Sequence, residues 1–168
     1  TLPGLVARGA QVAMLGAGDP HYEVALRAAV AVYPGRAALH IGYDPTLAQL
    51  IYAGSDLFLM PSRFEPGGLG QLYAMRYGSI PVVRAVGGLV DSVQDDDEMP
   101  GGGVGFAFGP ATAEALLTAT DRALAAFRQP ARWAGIQRRA MTKEVSWRRS
   151  SLAYQDVYEA ARRLARPG

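Results

Sequence analysis

Residues 56–84 read DLFLMPSRFEPGGLGQLYAMRYGSIPVVR. The apolar run at 56–60 ends at Pro61 and fits a buried strand. Residues 62–68 hold an acid, a proline and two glycines and read as a loop. Residues 69–77 read as a helix stopped by Gly78, the residue type that closes helices in the left-handed conformation. A second apolar run follows at 80–84. Strand, helix and strand in that order predict a parallel βαβ unit.

The alternation extends to both sides. Upstream, 11–15 is a strand followed by a Gly16-Ala17-Gly18-Asp19 turn and a helix over 20–32, where Val24, Ala25, Ala28, Ala29 and Val32 keep helical spacing. Residues 37–41 form the next strand. Asp44 then caps a helix that has Pro45 in its first turn. Downstream, Gly87-Gly88 precedes a short helix at 89–93. The acid- and glycine-rich 95–103 stretch reads as an exposed, mobile loop, and 104–108 as a last strand. Helices follow over 112–127, 130–142 and 147–165. The expected fold is α/β, a Rossmann-like doubly wound parallel sheet, whose ligands bind beyond the carboxyl ends of the strands. The candidate ligand loops are therefore 16–19, 42–44 and 62–70.

At 168 residues the chain has room for one domain spanning 1–168, and composition is globular at 49% hydrophobic and 19% charged. Seventeen basic side chains against fifteen acidic ones give a net charge of +2, no argument for a nucleic-acid partner. The absence of Cys excludes disulfides, thiolate metal sites and a cysteine nucleophile, and fits a reducing compartment. No apolar run approaches the roughly eighteen residues of a membrane helix, so the expectation is a cytoplasmic protein without a membrane partner. The chain opens at Thr1 without a methionine, which leaves a processed product and an excised piece both open.

The 62–71 stretch carries the chemistry. Its glycines let the backbone approach a ligand with unobstructed N–H groups, and with the positive end of the following helix they suit a diphosphate. A carboxylate in that place repels phosphate, so Glu65 must face something else, such as sugar hydroxyls or a developing positive charge. For an isolated Glu-Pro-Gly-Gly, a helix cap and a shaped turn explain the residues as well.

The longer string PSRFEPGGLGQLYAMRYGSIPVVRAVGGLVDSV resembles the bacterial glycogen synthases and plant starch synthases, whose donor domain carries a motif close to PSRFEPCGLTQLYAMRYGT and a TGGLxDTV segment. LLGAGDP-like and IGYD segments upstream, and Ser146-Trp147 with Tyr154 downstream, are similar in order. The resemblance implies the carboxyl-terminal half of an enzyme with two Rossmann-like domains, the GT-B architecture. That enzyme transfers glucose, with retention, from ADP-glucose to the non-reducing end of an α-1,4-glucan. It implies no metal and no cofactor, ADP-glucose being substrate and ADP product.

By position, the resemblance makes Glu65 the catalytic acid that stabilises the positively charged transition state. Gly67, Gly68, Leu69 and Gly70 offer N–H groups to the glucose and the diphosphate, and Tyr43 lies against adenine. Two residues depart from the pattern: Gly67 replaces a Cys and Gly70 a Thr. Tyr73 stands where the broader transferase class has a second Glu. The family's preceding strand and Arg/Lys loop, and its first domain, are not in this sequence, which implies a piece of a longer enzyme, inactive in transfer by itself. The same resemblance implies that the helix over 147–168 packs on that first domain, with packing on this domain's own sheet as the alternative.

His21 and His40 lack metal-ligand spacing, and Asp95, Asp96, Asp97 and Glu98 read as a solvated loop rather than a metal cluster. Arg63, Arg76 and Arg84 lie near the predicted pocket, Arg63 next to the key loop being a candidate phosphate contact, with local pairing or carbonyl capping as the alternative for such arginines. The reading is an ADP-glucose donor domain. A UDP-glucose transferase of the same fold and a non-catalytic nucleotide or sugar module are the alternatives.

Overall fold

A computed structural model describes residues 1–165. It opens with a short helix that the sequence reading missed, α1 (Leu2–Ala7), with Pro3 in its first turn. The alternating part follows as β1 (Val12–Gly16), α2 (Pro20–Ala31), β2 (Ala37–Ile41), α3 (Pro45–Gly54), β3 (Leu57–Met60), α4 (Gly70–Tyr77), β4 (Ile80–Arg84), α5 (Gly88–Ser92) and β5 (Phe106–Phe108). Three helices close the chain: α6 (Ala113–Phe127), α7 (Pro130–Thr142) and α8 (Trp147–Leu164). The punctuation works as read from sequence. The Asp44 carboxylate accepts from Leu47 N–H at 2.9 Å with Pro45 in the first turn of α3, and Gly78 closes α4 at φ +80°.

All pairing is parallel, as the βα alternation requires, but it falls into two ladders rather than one. β1 pairs with β2, and β3, β4 and β5 pair in that order, so β1 and β3 each have one neighbour. α3 spans the division by packing on both β1 and α4.

The core lies in the second ladder. Period-two alternation in β4 sends Ile80 and Val82 to one face, among Met75, Phe106, Trp133 and Ile136, and Val83 to the other, against Leu89 and Val93. Helices thus cover both faces of β4, which accounts for its unbroken apolar run. By contrast, α2 and α3 contain no fully buried residue.

The 95–103 segment is exposed over 97–101, as read, but Asp95 and Asp96 correct the expectation that its acids are solvated. The side chains of Asp95 and Asp96 are only 3% exposed and are matched by arginines from two helices. Arg122 of α6 pairs with Asp95 at 3.0 Å and Asp97 at 2.7 Å; Arg132 of α7 pairs with Asp96 at 2.8 Å and Asp97 at 2.6 Å. Arg139, two turns further along α7, reaches Asp96 at 2.7 Å and donates to the Gly103 carbonyl at 2.7 Å. Burial opposes the charged form of Asp97, but the hydrogen bonds from Arg122 and Arg132 outweigh it and hold its carboxyl below the usual range. The network also covers the outer side of β5. Asp95 accepts from Ala107 N–H, and Arg122 donates to Ala107 C=O, both at 2.6 Å. The main-chain groups of an edge strand are thereby satisfied by side chains. The sequence reading missed this because the three arginines lie 25 or more residues beyond the acids. β5 is also shorter than read, since Gly105 instead bridges to Asp95.

α8 lies away from the sheet's core: no residue described on it belongs to a buried cluster. Every side chain described on it is exposed, Trp147 at 78% and Tyr158 at 64%, and Tyr154 and Tyr158 stack with centroids 6.2 Å apart. Residues 166–168 of the expected 147–168 helix lie outside the described residues. No helix among the described residues is long and apolar enough to cross a membrane.

Candidate functional site

The loop between β3 and α4 is fixed from three sides. Upstream, Arg84 at the carboxyl end of β4 donates from Nη1 to the carbonyls of Ser62 (3.3 Å) and Arg63 (2.9 Å), and from Nε to Gly109 (3.0 Å). Beneath Glu65, the Gly88 N–H donates to the Glu65 carbonyl at 3.1 Å. The approach is close enough that a Cβ on Gly88 would lie 2.8 Å from Gly67 Cα and 2.9 Å from Pro66 O. Gly87, at φ +51°, holds the turn that makes this approach. Downstream, the amide Nε2 of Gln71 donates to the Gly67 and Gly68 carbonyls, both at 3.0 Å, and to Ser92 Oγ at 3.1 Å.

These restraints leave a defined chemical surface. Glu65 is half-buried, and Ser62 Oγ lies 3.4 Å from its Oε2, a long contact that leaves acceptor capacity on the carboxylate. The carbonyls of Gly67, Gly68 and Leu69 are all engaged, the last by Tyr73 N–H at 2.9 Å. The N–H groups of Gly67, Gly68, Leu69 and Gly70 have no internal acceptor among the described residues. One loop therefore presents a carboxylate followed by four free donors at the positive end of α4, an arrangement for a ligand positive or hydroxyl-bearing at one end and anionic at the other.

The two departures at 67 and 70 have different structural settings. A Cβ on Gly67 would meet nothing within 4 Å, so that position is open. A Cβ on Gly70 would lie 3.1 Å from Phe58 Cζ and 3.3 Å from Tyr52 Oη, so the packed Tyr52–Phe58 pair takes the room of a larger side chain. Tyr73 belongs to the same aromatic group, its ring 6.1 Å from that of Tyr52.

Tyr43 follows β2, in the other ladder, and is 92% exposed. No hydrogen bond or ring contact among the described residues joins it to the Glu65 loop. The two upstream loops are tied together, Gly42 N–H donating to Gly16 C=O at 3.0 Å. Glu23 accepts from Gly18 N–H at 2.9 Å while Asp19 accepts from His21 N–H at 2.8 Å. The Gly16–Asp19 turn is thus largely consumed in starting α2. His21 and His40 are exposed, and no group of three potential metal ligands occurs among the described residues.

Arg76 and Arg84 cap carbonyls, Arg76 donating to Met141 O at 2.8 Å, while Arg63 is exposed beside the loop. A cleft of about 450 Å³ between the 95–103 segment and α7 is lined by Asp96, Asp97, Arg132 and Arg139, whose charges are already paired with one another. It is remote in chemistry from the Glu65 loop, which is the better candidate. Reading the sequence missed Gln71 as a support of that loop; the signal was a long amide placed directly after the last loop glycine. Carbonyl capping by Arg84 was among the readings, and the structure shows which carbonyls it caps.

Residues 8–139 match the family described as glycosyl transferases group 1. The chain is 53% identical over 157 residues to a glycogen synthase of Anaeromyxobacter dehalogenans (strain 2CP-C), covering 94% of this chain and 33% of that protein. It is 54% identical over 157 residues to a glycogen synthase of Halorhodospira halophila, with coverage of 94% and 33%. The chain thus spans about a third of the length of these relatives. The catalytic domain of starch synthase IV from Arabidopsis thaliana, solved bound to ADP and acarbose, superposes with a TM-score of 0.83 at 33% identity, covering 95% of this chain and 34% of that one.

Proposed function

This chain belongs to the group 1 glycosyl transferases, and from that premise we propose that it is the donor-binding domain of a retaining glucosyltransferase that moves glucose from ADP-glucose to the non-reducing end of an α-1,4-glucan. One observation carries the reading: Glu65 and the unclaimed N–H groups of Gly67–Gly70 stand in sequence on a single restrained loop. The donors meet the diphosphate, whose negative charge grows as the bond to glucose breaks. The carboxylate, held off the phosphates by Pro66, faces the sugar and stabilises the positive charge that develops at the anomeric carbon. Tyr43 supplies an exposed flat ring for the base. The reading of ADP over UDP is supported by the starch synthase solved bound to ADP and acarbose.

In this reading no metal or cofactor takes part, and the protein works in the cytoplasm. The exposed apolar stripe of α8, with Trp147, Tyr154, Val157 and Tyr158, packs on a second domain that carries the glucan site. Calorimetric titration with ADP and UDP tests the donor assignment: ADP binds more tightly than UDP, and tighter UDP binding overturns it. Glu65→Ala tests the role of the acid. In a protein joining this domain to its acceptor domain, the substitution abolishes glucan elongation and leaves ADP affinity within about twofold, because the carboxylate acts on the transition state rather than on the nucleotide. Unchanged elongation refutes it.

A further inference from the structure

Gln71 is fully buried, its Nε2 shares two N–H groups among three acceptors, and its Oε1 is buried without any partner. A buried amide that leaves its acceptor unsatisfied is costly. The residue is therefore held here by what its nitrogen donates. What it donates to are the carbonyls of Gly67 and Gly68, and this determines where the next two N–H groups point. In a planar trans peptide the C=O of one residue and the N–H of the next are opposed. Drawing Gly67 O and Gly68 O inward to Gln71 therefore turns the N–H groups of Gly68 and Leu69 away from it, to the outer side of the loop.

Positions 67 and 68 are both glycine, so no Cβ opposes a flip of the peptide between them, and Gly68 already stands at φ +71°. The next peptide adjoins Leu69 at φ −116°, whose Cβ resists a flip and acts in the same sense as Gln71. Flipped, each peptide would present its carbonyl where an anion is to bind. Gly68 is also closely packed on the amide, since a Cβ there would lie 2.6 Å from Gln71 Oε1.

We propose that Gln71 is the positioning residue of the anion-facing loop: by holding the Gly67 and Gly68 carbonyls inward it keeps two consecutive N–H donors directed at the diphosphate of a bound nucleotide. The diphosphate part rests on the donor-domain reading above, and the peptide-orientation part stands without it. The side chain acts through the backbone and does not touch the ligand. Ser92, whose Oγ accepts from Gln71 and donates to the Gly88 carbonyl at 2.8 Å, seats the amide from the α5 side.

The test compares Gln71→Met and Gln71→Glu, close in volume and lacking the NH2 donor, with the unaltered chain. The readouts are calorimetry with ADP and with adenosine, amide NMR of residues 67–70, and thermal melting. Both variants lose about tenfold or more in ADP affinity, as expected for two misdirected hydrogen bonds to a charged group, and keep adenosine affinity. The Gly68 and Leu69 amide signals broaden or move. A merely structural role lowers the melting temperature and weakens both ligands alike, and that result overturns the proposal. So do ADP affinity within twofold of the unaltered chain or unmoved Gly68 and Leu69 signals in a folded variant. If the unaltered chain binds no ADP, the donor reading fails, while the amide signals still decide whether Gln71 orients the two peptides.

Discussion

Replacing Gly88 by Ala perturbs the Glu65 loop from beneath. Two effects compete. Gly88 is the first residue of α5 and its φ is not positive, so alanine is compatible with the backbone. The loss of unfolded-state freedom then favours the variant by about 0.4–1 kcal/mol. Against this, the new methyl would lie 2.8 Å from Gly67 Cα, 2.9 Å from Pro66 O and 3.0 Å from Gly67 O. Ordinary carbon contacts are at about 3.5–4.0 Å, so the Pro66–Gly67 peptide must retreat by roughly 0.7 Å or more. These are backbone atoms beside Glu65, with no flexible side-chain end to yield. Overpacking of this kind costs about 1–3 kcal/mol, and the clash wins. Gly88→Ala should therefore be destabilised by about 1–2 kcal/mol, a fall in melting temperature of about 2–8 °C for a domain of this size. The assay is thermal unfolding by circular dichroism together with amide NMR of residues 65–68, with Gly67→Ala as the control. That methyl on the same loop enters open space and should leave the melting temperature near that of the unaltered chain. A Gly88→Ala chain that melts as high as the original with unmoved 65–68 signals would show that α5 does not support the loop.

Three further outcomes follow from the same geometry. Asp96→Asn leaves Arg132 and Arg139 without their shared buried carboxylate and should cost about 3–5 kcal/mol in urea unfolding; a change under about 1 kcal/mol would contradict the reading of the 95–103 segment as structural. Acidification should destabilise the fold through Asp97 and Asp121. The hydrogen bond from Arg8 lowers Asp121 first of all, and Arg122 and Arg132 lower Asp97 against its burial. Because both carboxyls are depressed in the folded state, their stabilisation is present above their ordinary value of about 4 and is lost as pH falls through the folded values; a melting temperature independent of pH below about 4 would contradict this. Gly70→Thr should lower the melting temperature through crowding against Phe58 and Tyr52, whereas Gly67→Cys should be neutral, and the reverse order would refute the packing described for the two positions.

Much of the chain was readable because its signals are local. Apolar runs bounded by glycine and proline marked all five strands, and Asp44-Pro45 and Gly78 marked helix ends that the structure reproduces through an actual cap and a left-handed residue. What was not readable depends on residues distant in sequence. The partition into two ladders follows from which strands are neighbours, a matter that no single apolar run records. The buried Asp95 and Asp96 read as solvated because their partners Arg122, Arg132 and Arg139 lie on later helices. At the candidate site, the strand–loop–helix setting of Glu65 and the glycines was legible from residue type and motif, and carbonyl capping by Arg84 was among the readings, while Gln71 was not, since its work is to hold carbonyls that only the folded loop brings to it. α1 escaped because Pro3 and Gly4 mask a helix of six residues.

Whether the loop from Glu65 to Gly70 receives the nucleotide diphosphate is tested most directly by titrating the isotopically labelled chain with ADP and following backbone amide resonances. Saturable shifts should concentrate on Gly67, Gly68, Leu69, Gly70 and Gln71, with smaller ones at Tyr43. ADP-dependent shifts confined to the 95–103 segment and α7, or none at saturating ADP, would contradict that assignment.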